Sequence, residues 1–230
     1  MATDITVSAA ASLTNAFKDI GAAYEKEHAG DKVLFNFAAS DPLVQQIAKG
    51  APVDVFASAD QDAMDKAESL KLLAAGSRRD FATNTLVLIA PANSKLALTG
   101  VADLRQAAVT RVTMGNPASV PVGRYTRQAL EQARLWTAVE PKVIFGTSVR
   151  QSLDYVARGE VDAGFVYATD AIVQKDKVRV IATLPTTTPV SYPIAAIAAG
   201  PQPAAGRKFV DYVLSPAAQA ILARHGFGRP

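Results

Sequence analysis

The sequence predicts an α/β protein made of two lobes, and three observations support this fold class. Short apolar runs typical of strands alternate with amphipathic helical patterns. The alternation restarts after Gly76 with a second set of strands and helices. The C-terminal stretch adds two helices, which the first set needs to cover its sheet. We therefore expect lobe I at residues 1–82, lobe II at residues 83–190, and a return to lobe I at residues 191–230.

The first set consists of three strand and helix units. In the helix that follows the strand DITVSAA, apolar residues recur at spacings of four, three and four, which places them on one face: Leu13, Phe17, Ile20 and Tyr24. The second unit pairs KVLFNFAAS with PLVQQIAKG, and the third pairs VDVFASA with QDAMDKAESLKLL. Three such units in a row favour a mainly parallel sheet flanked by helices.

The second set repeats this alternation over the middle of the chain. Its segments are NTLVLIAP, RVTMGNP, GRYTRQALEQARLW, KVIFG, VRQSLDYVARG and DAGFVYATD. A further apolar strand, VSYPIAAIAAG, comes before the C-terminal helices, which we expect to be separated at Ser215-Pro216. The double crossover between the two sets predicts a hinged cleft.

Composition excludes several classes of protein. With 230 residues, 49% of them hydrophobic, the chain can bury a full core. The sequence has no run approaching the roughly 18 apolar residues of a membrane-spanning helix. It has no cysteine, which excludes disulfides, thiolate catalysis and cysteine-ligated metals. The net charge of +3 comes from dispersed residues, so nucleic-acid binding is not expected.

The first residues, MATDITV, show neither the basic nor the apolar region of a signal peptide. We therefore expect either a cytosolic protein or a mature form that was given a new initiating Met.

Three strand-to-helix turns carry small or hydroxyl residues: AAASLT, FAASDP and FGTSVR. In open α/β sheets, ligands bind beyond the carboxyl ends of the strands, where helix N-termini present unpaired N–H groups. Each turn can offer such donors to an anion. Taken singly, each turn is also an ordinary helix cap, so the anion site depends on the expectation that the turns converge.

The chain resembles the periplasmic molybdate-binding proteins, the substrate-capturing components of ABC-type molybdate importers. The resemblance rests on the order and spacing of AAASLTNAF, APVDVFASAD, LVLIAP, VPVGRYTRQAL, VRQSLDYVARGEVDAGFVYATDA and YPIA. It implies a type II periplasmic-binding-protein fold whose cleft holds molybdate or tungstate as a bare dianion. It also implies a monomer in the periplasm, after removal of a signal peptide, with a membrane permease as its partner and no cofactor or cationic metal.

The resemblance also implies which residues bind the anion through neutral hydrogen-bond donors. Ser12 and Ser40 would contribute hydroxyls, Val122 and Val149 backbone N–H groups, and Tyr167 its phenol hydroxyl. Val122 replaces the usual Ala of this family, which matters little for a main-chain donor.

Four charged residues near these positions need an interpretation. Asp41-Pro42 departs from the family pattern; we expect Asp41 to point away and cap the next helix, the alternative being an altered anion preference. Asp170 is expected to cap the helix AIVQKDK. Arg124 and Arg127, three residues apart, suggest a solvated helix face.

Three alternatives remain open. The protein could bind another tetrahedral oxyanion, such as sulfate or phosphate. It could be a small-anion hydrolytic enzyme, although the sequence has only two histidines, His28 and His225, and no Gly-x-Ser-x-Gly, Walker or Gly-x-Gly-x-x-Gly motif. It could be the sensor half of a regulator, but the two lobes leave no segment for a DNA-binding domain.

Overall fold

The computed structural model describes residues 3–230, and the chain divides into two compact units. The first comprises Met1–Thr83 and Ser191–Pro230, and the second comprises Asn84–Val190. Residues 1 and 2 of the predicted lobe I lie outside the described part. Each unit holds one five-stranded sheet flanked by helices. None of the helices within residues 3–230 is long and apolar enough to cross a membrane.

The first unit is built from two separate parts of the chain. Its elements are β1 (Asp4–Ala10), α1 (Thr14–Glu27), β2 (Lys32–Ala38), α2 (Ser40–Ala48), β3 (Val55–Ala57), α3 (Gln61–Ser69), β4 (Arg79–Asn84), β10 (Val190–Ala196), α8 (Pro203–Val213) and α9 (Pro216–Arg224). The predicted break between the last two helices is confirmed, because the Ser215 hydroxyl caps α9 by accepting a hydrogen bond from the Ala218 N–H.

The sheet of the first unit has the strand order β2-β1-β3-β10-β4. Strand β1 pairs in parallel with both β2 and β3, as three consecutive strand and helix units require. Strand β10 is antiparallel to β3 and is inserted between β3 and β4. The C-terminal part of the chain therefore supplies an interior strand of this sheet.

The predicted apolar stripe of α1 is confirmed. Phe17, Ile20 and Tyr24 of α1 and Leu13, in the turn just before it, are fully buried. The Phe17 ring lies 5.6 Å from that of Phe81 on β4, and the Tyr24 ring lies 5.3 Å from that of Phe209 on α8. The helix thus packs against both parts of the chain that build this unit.

The second unit is continuous in sequence. Its elements are β5 (Leu86–Pro91), β6 (Val112–Gly115), α4 (Pro121–Gln132), α5 (Trp136–Val139), β7 (Val143–Gly146), α6 (Val149–Ala157), β8 (Ala163–Tyr167), α7 (Ala168–Val173) and β9 (Val178–Leu184). The strand order is β7-β6-β8-β5-β9. Strand β6 is parallel to β7 and β8, whereas β5 is antiparallel to β8 and β9, so this sheet is mixed.

Candidate functional site

In the first unit, two of the predicted site residues follow neighbouring strands at the same edge of the sheet. The parallel register pairs Ala10, the last residue of β1, with Ala38, the last residue of β2. Ser12 and Ser40 each lie two residues beyond these positions. Because parallel strands end together, both serines lie at the carboxyl edge, where open α/β sheets bind ligands.

Ser40 is the first residue of α2, and its side chain is fully buried. Its Oγ accepts a hydrogen bond of 3.1 Å from the backbone N–H of Ala59, which follows β3. A hydroxyl has one hydrogen and two lone pairs. The Ser40 oxygen therefore accepts a hydrogen bond from the protein, while the hydroxyl hydrogen can be donated to another group.

Ser12 lies in a single 3₁₀ turn, Ala11–Leu13, that joins β1 to α1. Its side chain is buried, and its Oγ lies 3.0 Å from the phenol oxygen of Tyr192 on β10. Tyr192 comes to this edge because β10 is antiparallel to β3, which brings the Pro193 carbonyl to the N–H of Ser58 just beyond β3. The sequence interpretation did not include Tyr192 in the site; a lone tyrosine in the apolar run VSYPIAAIAAG was the available signal.

The prediction that Asp41 caps the next helix is wrong. Helix α2 begins at Ser40 and its N-cap is Ala39, so Asp41 is already the second helical residue. The helix starts two residues before Pro42, because Ser40 and Asp41 form its first turn together with Pro42. Asp41, which is buried with 7% of its surface exposed, still places negative charge in the first turn, where it complements the helix dipole.

In the second unit, the other three predicted site residues also share one sheet edge. The parallel strands β7, β6 and β8 lie side by side, and Gly115 of β6 is paired with Gly146 of β7. Val122 follows β6, Val149 follows β7, and Tyr167 ends β8. The carboxyl edge of this sheet therefore gathers two helix starts and Tyr167.

Val122 is the second residue of α4, a position at which the backbone N–H has no acceptor within its own helix. Pro121 at the first position fixes the helical φ angle without losing a needed donor. Gly123 follows, and a β carbon there would collide with the carbonyl group of Gly115. This close approach holds the start of α4 against the end of β6.

Val149 is the first residue of α6, and its N–H belongs to the same class of unpaired first-turn donors. Ser148 caps the helix by accepting a hydrogen bond of 3.2 Å from the Gln151 N–H. The Gln151 side chain in turn accepts a hydrogen bond of 2.7 Å from the Thr147 N–H. These two hydrogen bonds fix the turn between β7 and α6. The N–H of Val149 is therefore held just beyond the end of β7.

Tyr167 ends β8 with only 1% of its surface exposed, and its ring lies edge-on to that of Tyr125, 6.5 Å away. Its backbone N–H donates to Asp170 Oδ2 at 3.3 Å. The prediction that Asp170 is an N-cap is wrong: the N-cap of α7 is Tyr167, and Asp170 is the third helical residue, whose carboxylate reaches back to it.

Asp170 also joins two segments of the candidate site. Its Oδ1 lies 2.6 Å from Nε of Arg150, the residue after Val149. The Asp170 side chain is fully buried and that of Arg150 is 21% exposed. Burial raises the pKa of Asp170, while the Arg150 guanidinium favours the ionised form and opposes this shift. The sequence interpretation did not include this pair.

The nearby arginines differ in their surroundings. The guanidinium of Arg127 pairs with Glu131 at 2.8 Å and lies over the Trp136 ring at 5.2 Å, and both members of the ion pair are about half exposed. This confirms the predicted solvated face for Arg127. Arg124 donates to the Pro117 carbonyl at 3.4 Å, next to the start of α4.

The five candidate residues offer hydroxyl or backbone N–H donors and carry no ionised side chain. Such a set suits an anion without protons of its own, since every contact is then a donor meeting a charged oxygen. Within residues 3–230, no group of three or more His, Cys, Asp or Glu side chains is arranged to hold a metal ion.

Two α/β units with donors at the carboxyl edges of their sheets define the class of solute-binding proteins. Comparison with known families makes this specific: the chain belongs to the bacterial extracellular solute-binding protein family, whose model matches residues 5–228. The predicted family resemblance is confirmed. So is the prediction of a binding protein instead of an enzyme, because the family is defined by solute binding.

Individual proteins show how far the similarity extends. The molybdate-binding protein ModA of Escherichia coli is 38% identical over 97% of this chain and 88% of its own length. The periplasmic molybdate-binding protein of Azotobacter vinelandii superposes with a TM-score of 0.84 at 24% identity, covering 98% of this chain and 99% of that one. The sulfate-binding protein SubI of Mycobacterium tuberculosis gives the same TM-score of 0.84 at 19% identity, covering 98% and 86%. These two structures confirm the predicted fold, which is shared by proteins for different oxyanions.

Proposed function

We propose that this protein is an extracytoplasmic substrate-binding protein that captures molybdate, and also tungstate, and delivers it to the membrane permease of an ABC importer. The observation that carries the proposal is the set of neutral donors at the two sheet edges. It is supported by 38% identity to a molybdate-binding protein along almost the whole chain.

We propose that donors of both units act on the same anion. Ser12 and Ser40 of the first unit would donate hydroxyl hydrogens, Val122 and Val149 of the second unit backbone N–H groups, and Tyr167 its phenol hydrogen. The units themselves would be the lobes predicted from the sequence, residues 1–82 with 191–230 and residues 83–190. The protein would act as a monomer, because the proposed donors all come from one chain.

The donor set is strong enough for capture from dilute solution. Hydrogen bonds to a charged group contribute about 1.5–3 kcal/mol each, so five donors give roughly 8–15 kcal/mol before losses. Lost motional freedom subtracts at least about 4 kcal/mol. A net value near −8 kcal/mol, equivalent to a micromolar Kd, is within reach without any lysine or arginine in contact with the anion.

The same donors predict selectivity. Molybdate and sulfate share charge and tetrahedral shape, so a rigid ring of donors separates them by size. Hydrogen phosphate brings a proton, for which a site built of donors offers no acceptor. Asp41 is the carboxylate next to the donor Ser40, and turned toward the anion it would accept that proton and weaken the discrimination.

The experiment is isothermal titration calorimetry of the purified protein with molybdate, tungstate, sulfate and phosphate in parallel. We expect one anion per chain, with micromolar or tighter binding of molybdate and tungstate. Tyr167→Phe and Ser12→Ala remove one donor from each unit, and both should weaken the same molybdate isotherm without changing its stoichiometry. Preference for sulfate or phosphate would contradict the proposal and support the second candidate, a binding protein for another oxyanion.

A further inference from the structure

Ser12 makes a long-range polar contact with a residue that the proposed donor set does not include. Ser12 Oγ and the Tyr192 phenol oxygen lie 3.0 Å apart and are separated by 180 residues in sequence. Ser12 is 2% exposed and Tyr192 is fully buried. A hydrogen bond in such a setting is stronger than one in water, and losing one partner leaves the other with an unmet polar group.

The direction of this hydrogen bond follows from the proposed function. Each hydroxyl has one hydrogen. If Ser12 gives its hydrogen to the anion, it cannot also give it to Tyr192, so Tyr192 is the donor and Ser12 Oγ the acceptor. The result is a chain in which the phenol donates to the serine and the serine donates to the anion. Hydrogen bonds in such a chain polarise and strengthen one another.

The position of Tyr192 is fixed by the packing of its ring and backbone. Its ring meets that of Phe81 edge-on at 6.2 Å and that of Phe227 at 5.5 Å. The next residue, Pro193, accepts a backbone hydrogen bond of 2.9 Å from Ser58, which anchors β10 to the end of β3. The phenol oxygen is therefore held at a set distance from the turn that carries Ser12.

Ser40 shows the same arrangement with a different donor. Its Oγ accepts from the Ala59 N–H at 3.1 Å. With Tyr192 as the donor to Ser12, both serine oxygens accept a hydrogen bond from the protein, and the proposed function has each serine donate its hydrogen to the anion. The same orientation would then be set in two separate turns of the first unit.

We propose that Tyr192 is a positioning residue that orients the Ser12 hydroxyl as a donor to the bound anion. This inference rests on the proposed function. Tyr192 acts through Ser12, so its contribution to affinity exists only while Ser12 has its hydroxyl.

The test is a double-mutant cycle read by calorimetric titration with molybdate. Tyr192→Phe removes the phenol oxygen and keeps the ring, and we expect it to weaken binding about three- to tenfold. In a Ser12→Ala background the same change should alter the Kd by less than about twofold, because the group it orients is gone. In a Ser40→Ala background it should again weaken binding about three- to tenfold.

Tyr24→Phe is the matched control, because Tyr24 is also a fully buried tyrosine of the first unit with a hydroxyl bonded to a side chain, Asp31. It should leave the molybdate Kd unchanged. If Tyr192 has a purely structural role, Tyr192→Phe should weaken binding equally in the wild-type, Ser12→Ala and Ser40→Ala backgrounds. That result would overturn this inference and leave the proposed function standing. A wild-type protein that binds none of the four anions would overturn the proposed function and the inference with it.

Discussion

Asp170→Asn tests whether the buried ion pair with Arg150 holds the second unit together. The substitution keeps the shape of the side chain and an oxygen for the Tyr167 N–H, and it removes the negative charge 2.6 Å from the Arg150 guanidinium. Removing one partner of a buried pair destabilises a protein by about 3–5 kcal/mol. Because Arg150 keeps 21% exposure and thus some hydration, we expect a value near 3 kcal/mol.

For a chain of this size, each kcal/mol corresponds to roughly 2–4 °C in Tm. Asp170→Asn should therefore lower the Tm of the second unit by roughly 6–12 °C in differential scanning calorimetry at pH 7. Asp176→Asn makes the same charge change at an exposed position of this unit, and its Tm should stay within about 1 °C of wild type. A Tm equally unaffected in Asp170→Asn would show that burial already keeps Asp170 neutral, and would refute the ion pair.

Three further predictions follow from individual contacts. Ser40→Ala should weaken molybdate binding by about 1–3 kcal/mol in a calorimetric titration, and an unchanged Kd would remove Ser40 from the site. Gly123→Ala should displace the start of α4, because its β carbon would meet the Gly115 carbonyl; we expect weaker molybdate binding and a lower Tm by circular dichroism, and wild-type values would contradict the close approach. Burial and Asp31 raise the pKa of Tyr24 from 10.0 to about 12, so the folded state keeps a proton that the unfolded state loses, and the free energy of unfolding should fall as the pH rises through this range. Between pH 9 and pH 11, the free energy of unfolding measured with urea should fall less in Tyr24→Phe than in wild type. Equal falls would exclude the Tyr24 hydroxyl as a source of this pH dependence.

The strands and helices that pack into the hydrophobic core could be predicted from the sequence. The stripe of α1 is buried on the side that its periodicity indicates, and the apolar runs of β3, β5 and most of β1 are buried. Periodicity is informative there because burial against a sheet imposes it on the sequence.

Two strands were not predicted, and both are at the edge of their sheets: β4 in the first unit and β9 in the second. Only Phe81 and Ala82 of β4 are buried, and β9 buries only its two end residues, Val178 and Leu184. An edge strand pairs on one side and stays partly exposed, so its pattern of polar and apolar residues is weak. Strand β9 is added to the sheet by pairing with β5, and local sequence does not show such pairing.

The candidate site was predictable in its local parts and less so in its long-range contacts. The five proposed donors follow strand ends that the sequence shows, and they remain proposals. Tyr192 and the Arg150–Asp170 pair depend on contacts over 180 and 20 residues. The roles predicted for Asp41 and Asp170 were wrong because a cap depends on where the helix starts, and the two boundaries lie two and three residues earlier than expected.

The insertion of β10 between β3 and β4 sets an order of events during synthesis. Domains fold as units, beginning with the parts of the chain made first. When residue 189 has been made, β4 still lacks the neighbour that attaches it to the sheet, and β3 has an open edge. The continuous second unit has by then received nearly all of its chain. The chain therefore supplies the strand that completes the first sheet, and with it the phenol oxygen that lies 3.0 Å from Ser12 Oγ, only after the whole second unit has been made.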